Sequence, residues 1–102
     1  MAVIVEFSII PIGKGTSISR FLAQGLKELE DRGVKHEITP MCTVFEAKSV
    51  GEAFDVVKAA HEAVFRGDVK RVVTTVKIDD RRDVERGMEE KVKSLKRAVR
   101  RA

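Results

Sequence analysis

Hydroxyl and carboxyl side chains cluster in one short stretch, residues 37–46, where two strands are expected to meet at a tight turn. Thr39 and Thr43 supply hydroxyls and Glu46 supplies a carboxylate, while the residues between them are apolar. Such side chains can form hydrogen bonds, so their place among core-type strands suggests a site for a small polar ligand. The alternative is an ordinary hairpin whose polar side chains face solvent.

Other kinds of chemistry have little support in the sequence. It contains neither a triad-like order of nucleophile and base nor the spacing of metal ligands, and Gly13-Lys14-Gly15 lacks the pattern of a phosphate-binding P-loop. Residues 79–83 are densely charged but largely self-neutralising, and we interpret them as a strand exit with Asp83 capping the next helix. We therefore predict no catalytic residues, no metal ligands and no cofactor.

Length and composition limit the class of protein. The chain has 102 residues, of which 43% are hydrophobic and 35% are charged, as expected of one globular domain. Its single cysteine cannot form an internal disulfide, and the first residues resemble neither a secretion signal nor a membrane span. We therefore expect a cytoplasmic protein. The absence of Asn and the single Gln beside many Lys, Arg and Glu resemble thermophile proteins.

The net charge of +4 lies entirely in residues 84–102, which hold seven basic and three acidic residues. A helix with Lys and Arg in its last turns is favoured by the helix dipole, so this cluster does not require a nucleic acid partner. The apolar residues of this helix form a narrow stripe that we expect to lie on a surface or a partner, namely Met88, Val92, Leu95 and Val99.

Periodicity predicts the first two elements. Apolar residues at every second position predict a strand from Val3 to Ile10, and the Pro-Ile-Gly-Lys-Gly run at 11–15 ends it. Ser17 is the predicted N-cap of a first helix, whose apolar residues recur at helical spacing until Gly33 ends it.

The remaining elements follow in a regular order. Two short strands are predicted near 35–40 and 43–47. A capping box that begins at Ser49 starts a second helix, which we expect to end at Gly67. The β-branched run 71–78 predicts a fourth strand.

The order strand, helix, strand, strand, helix, strand predicts a ferredoxin-like βαββαβ sandwich of the α+β class, with an extra C-terminal helix. Residues 1–102 form a single predicted domain. The two helices cover only one face of the sheet. The other face should carry apolar and polar side chains together, namely Ile4, Glu6, Ser8, Ile10, Val73 and Thr75. Because a face this apolar tends to be buried by a partner, we expect a homo-oligomer.

Several segments resemble one known family. They are the first strand with the Pro and Gly after it, the Met-x-Thr-x-x-Glu hairpin at 41–46, the Lys-Ala-Ala-His-Glu segment at 58–62, and the Arg-Val-x-Thr-x-x-Lys-Ile-Asp strand at 71–79. Over nearly its whole length the chain resembles the thiamine-binding protein family, formerly a family of uncharacterised conserved proteins.

The resemblance implies a ferredoxin-like subunit assembled into dimers or tetramers, with thiamine or its hydroxymethylpyrimidine part as the ligand. Two positions depart from the family pattern, because Cys42 and Ala47 stand where glycines are usual. These departures affect the expected turn geometry and pocket width.

Four polar residues fit such a ligand. An aminopyrimidine presents adjacent donors and acceptors, and a thiazolium carries a fixed positive charge that a buried carboxylate would attract. The candidate contacts are Glu6, Ser8, Thr43 and Glu46. Alternatively, Glu46 is a surface carboxylate at a strand end, and Thr43 satisfies a backbone group of the turn.

The resemblance adds two further candidate ligand contacts, His61 in the second helix and Arg71 at the fourth strand. His61 stands at the edge of an apolar stripe, so it could instead be a half-buried structural histidine. Arg71 could instead pair with Asp79 or with another acid in the oligomer.

We predict a non-catalytic protein that binds a small, thiamine-like molecule as a carrier, sensor or buffer. The alternative is a structural or regulatory homo-oligomer without a ligand. Specific RNA binding ranks third, because the chain has no Trp or Tyr and only five Phe with which to stack bases.

Overall fold

The computed structural model describes residues 2–102. Its strands are β1 Val3–Pro11, β2 His36–Ile38, β3 Thr43–Ala47 and β4 Val72–Asp79. Its helices are α1 Ser19–Asp31, α2 Val50–Val64 and α3 Met88–Arg101, and a 3-10 turn, Phe65–Gly67, follows α2. The strands form one antiparallel sheet in the order β2-β3-β1-β4. The ferredoxin-like prediction with an extra C-terminal helix is confirmed.

Strand β1 has the two faces that its alternation predicts. Every second residue is at most 6% exposed and packs in the core with α1 and α2, namely Val3, Val5, Phe7 and Ile9. On the other face, Ile10 and its β4 partner Val73 are 47% and 42% exposed. The sheet therefore has one face closed by helices and one face, which we call the open face, that the chain leaves largely uncovered.

Helices α1 and α2 approach each other closely at Gly25. A Cβ atom at this position would lie 3.0 Å from the carbonyl oxygen of Ala60 and 3.2 Å from Cγ2 of Val64. Only a residue without a side chain lets the two backbones come this near. Below them, Phe7 and Phe45 meet edge to face with ring centroids 5.6 Å apart, so the core is tightly packed under α1.

Two of the predicted helix ends are confirmed. The Ser49 hydroxyl accepts a hydrogen bond of 3.1 Å from the backbone N–H of Glu52, as a capping box requires. Gly33 follows α1 with a φ of 68°, the left-handed conformation typical of a helix end.

Two predicted helix caps are wrong, and a third helix end is reached through a 3-10 turn. Helix α1 begins at Ser19 with Ile18 at the N-cap, so Ser17 does not cap it. Helix α3 begins after Gly87, and Asp83 pairs with Arg81 instead of capping it. The second helix continues after Val64 as the 3-10 turn, which ends at Gly67 as predicted, and Asp68, with a φ of 59°, is the left-handed residue that follows.

Helix α3 buries only its first residue against the rest of the chain, and its later apolar side chains are exposed. Met88 is only 6% exposed, whereas the later residues of the stripe, Val92, Leu95 and Val99, are 47%, 66% and 65% exposed. Within this chain the stripe therefore lies on the surface, as predicted. No helix in residues 2–102, α3 included, is long and apolar enough to cross a membrane.

Candidate functional site

The most enclosed polar candidate is Thr43, which lines an apolar cleft of about 430 Å³. The cleft exists because β3 pairs with β1 only as far as the Phe7–Thr43 pair, whereas β1 continues to Pro11. Helix α1 forms one wall, and the turn between β2 and β3, residues 39–42, forms the other. We call this cavity the turn cleft.

No residue that lines the turn cleft carries a charge. Its walls are mostly aliphatic and include Ile18 and Leu22 of α1 and Met41 of the turn. Thr43 is 7% exposed, and its hydroxyl forms no hydrogen bond within residues 2–102. No fully buried side-chain N or O atom in residues 2–102 lacks a partner, so the Thr43 hydroxyl keeps some contact with open space and can bond to a molecule that enters the cleft.

Thr39, not Thr43, holds the turn together. Its hydroxyl donates to the carbonyl oxygen of Cys42 at 2.8 Å and accepts from the backbone N–H of Cys42 at 3.1 Å. A weaker contact of 3.4 Å joins it to the N–H of Met41. These bonds satisfy backbone groups of the turn. The alternative role considered for Thr43, stabilising the turn backbone, therefore belongs to Thr39.

Thr43 and Glu46 lie on opposite faces of the sheet. They are three residues apart in one strand, and successive side chains of a strand alternate between faces. Glu46 therefore shares the open face with Glu6 and Ser8 of β1. Of the other predicted contacts, only Ser8 lines the turn cleft together with Thr43. Ser8 lies in the end of β1 that β3 does not cover, and this end forms an edge of the cleft.

The carboxylate of Glu46 serves the beginning of α3. Its Oε1 accepts a hydrogen bond from the backbone N–H of Met88 and lies 4.0 Å from Nζ of Lys35. Lys35 also reaches Glu89 of α3 at 3.2 Å, and this hydrogen bond raises the pKa of Lys35. A Cβ atom on Gly87 would lie 2.5 Å from Oε1 of Glu46, so the glycine makes room for this cap.

The two candidates added by family resemblance lie apart from the turn cleft. Nδ1 of His61 is 2.6 Å from the Thr74 hydroxyl, and its ring meets the edge of Phe65, so the half-buried histidine joins α2 to β4. Arg71 is exposed just before β4. Its alternative partner Asp79 stands at the far end of that strand and pairs with Lys91 of α3 instead.

Several residues of the turn cleft were not predicted from the sequence. Ile18, Leu22 and Met41 are apolar, and their spacing indicates only that they belong to a helix stripe or a strand end. Cys42 also lines the cleft, at one of the positions that depart from the family pattern. Within residues 2–102, no group of three or more His, Cys, Asp or Glu side chains is placed to hold a metal ion.

Comparison with known proteins identifies similar chains. A family model described as thiamine-binding protein matches residues 5–96. A UPF0045 protein of Methanothermobacter thermautotrophicus is 44% identical over 95 residues, covering 92% of this chain and 96% of that protein. The UPF0045 protein YqgV of Bacillus subtilis is 39% identical over 97 residues, covering 90% of this chain and 92% of that protein.

Solved structures show the same fold. The hypothetical protein MJ1052 of Methanocaldococcus jannaschii superposes with a TM-score of 0.84 at 38% identity, covering 92% of this chain and 95% of that chain. A domain of unknown function, DUF77, from Bacillus cereus gives a TM-score of 0.79 at 27% identity, covering 89% of this chain and 86% of that chain.

Removing the Glu46 carboxylate should loosen the start of α3. In Glu46→Ala the Met88 N–H loses its acceptor, and loss of a helix cap costs about 1 kcal/mol. We expect amide hydrogen exchange in the first turn of α3 to accelerate roughly fivefold. The control is Glu37→Ala, which removes an exposed carboxylate from neighbouring β2. Equal acceleration in both variants, or none in Glu46→Ala, would contradict the capping role.

Proposed function

The chain belongs to the thiamine-binding protein family, and on that premise we propose that it binds thiamine or a related hydroxymethylpyrimidine compound in the turn cleft. The observation that carries the proposal is the Thr43 hydroxyl, which is 7% exposed, lines the cleft and has no partner among residues 2–102. A ligand with a ring nitrogen or an amino group can form a hydrogen bond with this hydroxyl.

The chemistry of the cleft favours the pyrimidine part over the thiazolium part. A cavity of about 430 Å³ lies within the usual size range of small-molecule sites. Aliphatic walls suit a flat, neutral aromatic ring, whereas a fixed cation is costly to bury without a carboxylate beside it. We therefore propose that the pyrimidine enters the cleft and that the thiazolium of thiamine stays at its mouth.

The proposed role is binding, as a carrier, sensor or buffer in the cytoplasm, and not catalysis. The description of the family as a binding protein supports this role. The other predicted contacts, Glu6, Glu46, His61 and Arg71, remain proposals, and their positions outside the turn cleft would require a second contact region.

The alternative, a homo-oligomer without a ligand, is supported by the open face. Ile10 and Val73 are exposed at one end of it, and Glu46 lies toward the other end, beside Ile4. The stripe of α3 is equally exposed and is flanked by basic residues. The exposed apolar side chains of both surfaces suggest that α3 of one copy covers the open face of another. A dimer or tetramer of this kind is also compatible with ligand binding.

Specific RNA binding has less support than either proposal. An RNA-recognition sheet stacks bases on exposed aromatic side chains of its strands. Here the strand aromatics Phe7 and Phe45 are 3% and 0% exposed and face the helices. Any association should therefore be weak, independent of sequence and sensitive to salt.

Thr43→Val tests the ligand proposal because it should separate binding from folding. The unpartnered hydroxyl contributes nothing to the fold, so thermal stability should be unchanged or slightly higher. Binding of hydroxymethylpyrimidine, measured by calorimetry, should weaken by about 1 kcal/mol, which is roughly fivefold. The matched control is Thr75→Val on the open face, which should bind as wild type does.

Two outcomes would contradict the proposed site. A wild-type protein that binds neither thiamine nor hydroxymethylpyrimidine would favour the oligomer without a ligand. If Glu46→Gln weakened binding by about 1–3 kcal/mol while Thr43→Val did not, the ligand would lie at the hairpin carboxylate instead.

The proposed assembly should appear in light scattering as a dimer or tetramer at micromolar concentration. Leu95→Glu places a charge in the exposed stripe of α3 and should shift the mass toward one subunit, because an unpaired charge is costly to bury. Leu95→Met keeps the stripe apolar and should retain the assembly. The mass of a single subunit for the wild type at every concentration would contradict the assembly.

A further inference from the structure

A second cleft of about 420 Å³ lies on the other side of α1, and we propose that it binds the phosphoryl group of a small molecule. Three segments build it: the loop between β1 and α1, the first half of α1, and the 3-10 turn after α2. Residues 20, 21 and 24 of α1 face this cleft, whereas residues 18, 22, 25 and 26 face the turn cleft. The inference is therefore independent of the proposed thiamine-type ligand.

Positive charge dominates the lining of this second cleft, which we call the basic cleft. Lys14, Arg20 and Arg66 each come from a different segment, and Asp68 is the single acid in the lining. The Asp68 carboxylate is 92% exposed and only reaches 4.0 Å from Nζ of Lys14, so it neutralises the cleft poorly. Glu28, outside the lining, balances part of the charge of Arg66, and the positive charge that remains in this concave surface attracts anions.

Two of the cations lie near one buried aromatic ring. Nζ of Lys14 lies 5.9 Å and Cζ of Arg20 lies 4.6 Å from the centroid of the same ring, Phe21. The ring is 5% exposed and therefore fixed, so it holds both cations beside one cavity. Both cations line the same cavity, so an anion bound in it would be attracted by both.

Arg66 can serve the cleft although it already has a partner. Its Nη1 is 3.3 Å from Oε1 of Glu28, which occupies one corner of the guanidinium. The side chain is 63% exposed, and an arginine has five N–H donors. The remaining donors are available to a ligand.

The backbone at the start of α1 increases the positive potential. The first turn of α1 contains no acidic residue, and no side chain caps it. The positive end of the helix dipole is therefore not neutralised locally. Gly13 and Gly15, with φ values of 82° and 79°, bend the loop on both sides of Lys14. The loop is not a P-loop, and we assign binding to the three cationic side chains.

A phosphoryl group fits this arrangement better than a carboxylate does. Guanidinium groups bind phosphate oxygens through paired hydrogen bonds, and a phosphoryl group with more than one negative charge is attracted more strongly than a carboxylate, which carries one. The three cations surround one cavity and form no continuous track, which favours a small phosphate or diphosphate compound over a polynucleotide backbone.

Inorganic pyrophosphate tests the inference on the full chain. We expect a titration of the ¹⁵N-labelled protein at constant ionic strength to give saturable amide shifts in residues 13–21 and 66–68. Arg20 is exposed and the Lys14 side chain is 26% exposed, and glutamine keeps part of the aliphatic stem of each, so the double variant Lys14→Gln/Arg20→Gln should keep the fold and lose at least tenfold in affinity. The matched control, Lys93→Gln/Arg97→Gln on α3, removes the same charges elsewhere and should bind within twofold of wild type.

Other outcomes would overturn the site. Equal losses in both double variants, or shifts centred on α3, would indicate general attraction to a basic protein. Acetate that binds as well as pyrophosphate would remove the preference for phosphoryl groups. A single-stranded oligonucleotide that displaces pyrophosphate from the same residues at physiological salt would indicate a polynucleotide ligand. Arg66→Gln provides a second variant, because its side chain is exposed and its loss should also weaken binding.

Discussion

Strand β1 is longer than the neighbouring strand β3, and the turn cleft depends on this mismatch. Strand β3 pairs with β1 only from Val3 to Phe7, whereas β4 pairs with it as far as Pro11. Beyond Phe7, one edge of β1 has no strand beside it. Helix α1 and the β2–β3 turn flank this edge, and the space between the helix and the turn is the turn cleft. Thr43 is the first residue of β3, so its hydroxyl lies at the corner where pairing stops.

The sheet separates the ligand cleft from the surface proposed for assembly. The face under α1 and α2 holds the core and the turn cleft, whereas the open face holds Glu6, Glu46 and the start of α3. Helix α3 is attached by polar contacts at its beginning, including the pairs Lys91–Asp79 and Lys35–Glu89. Exposed ion pairs of this kind contribute little energy. The exposed part of the α3 stripe, namely Val92, Leu95 and Val99, is available to a second copy.

Local patterns in the sequence predicted local features of the structure. The alternation of β1 and the capping box at Ser49 involve residues close in sequence, and both predictions are confirmed. The start of α3 could not be found in this way, because its cap, Glu46, lies 42 residues before Met88. The same alternation shows that Thr43 and Glu46 face opposite ways, although their short spacing suggested one site. The apolar cleft wall at Ile18 has no sequence signal that distinguishes it from core.

The most direct test of the proposed ligand site is a set of intermolecular nuclear Overhauser effects with hydroxymethylpyrimidine bound to the ¹³C-labelled protein. If the pyrimidine occupies the turn cleft, its methyl and ring protons should show contacts with the methyl groups of Ile18, Leu22 and Thr43, which line it. Contacts with Ile4 and Val44 of the open face, in place of these three, would contradict the account.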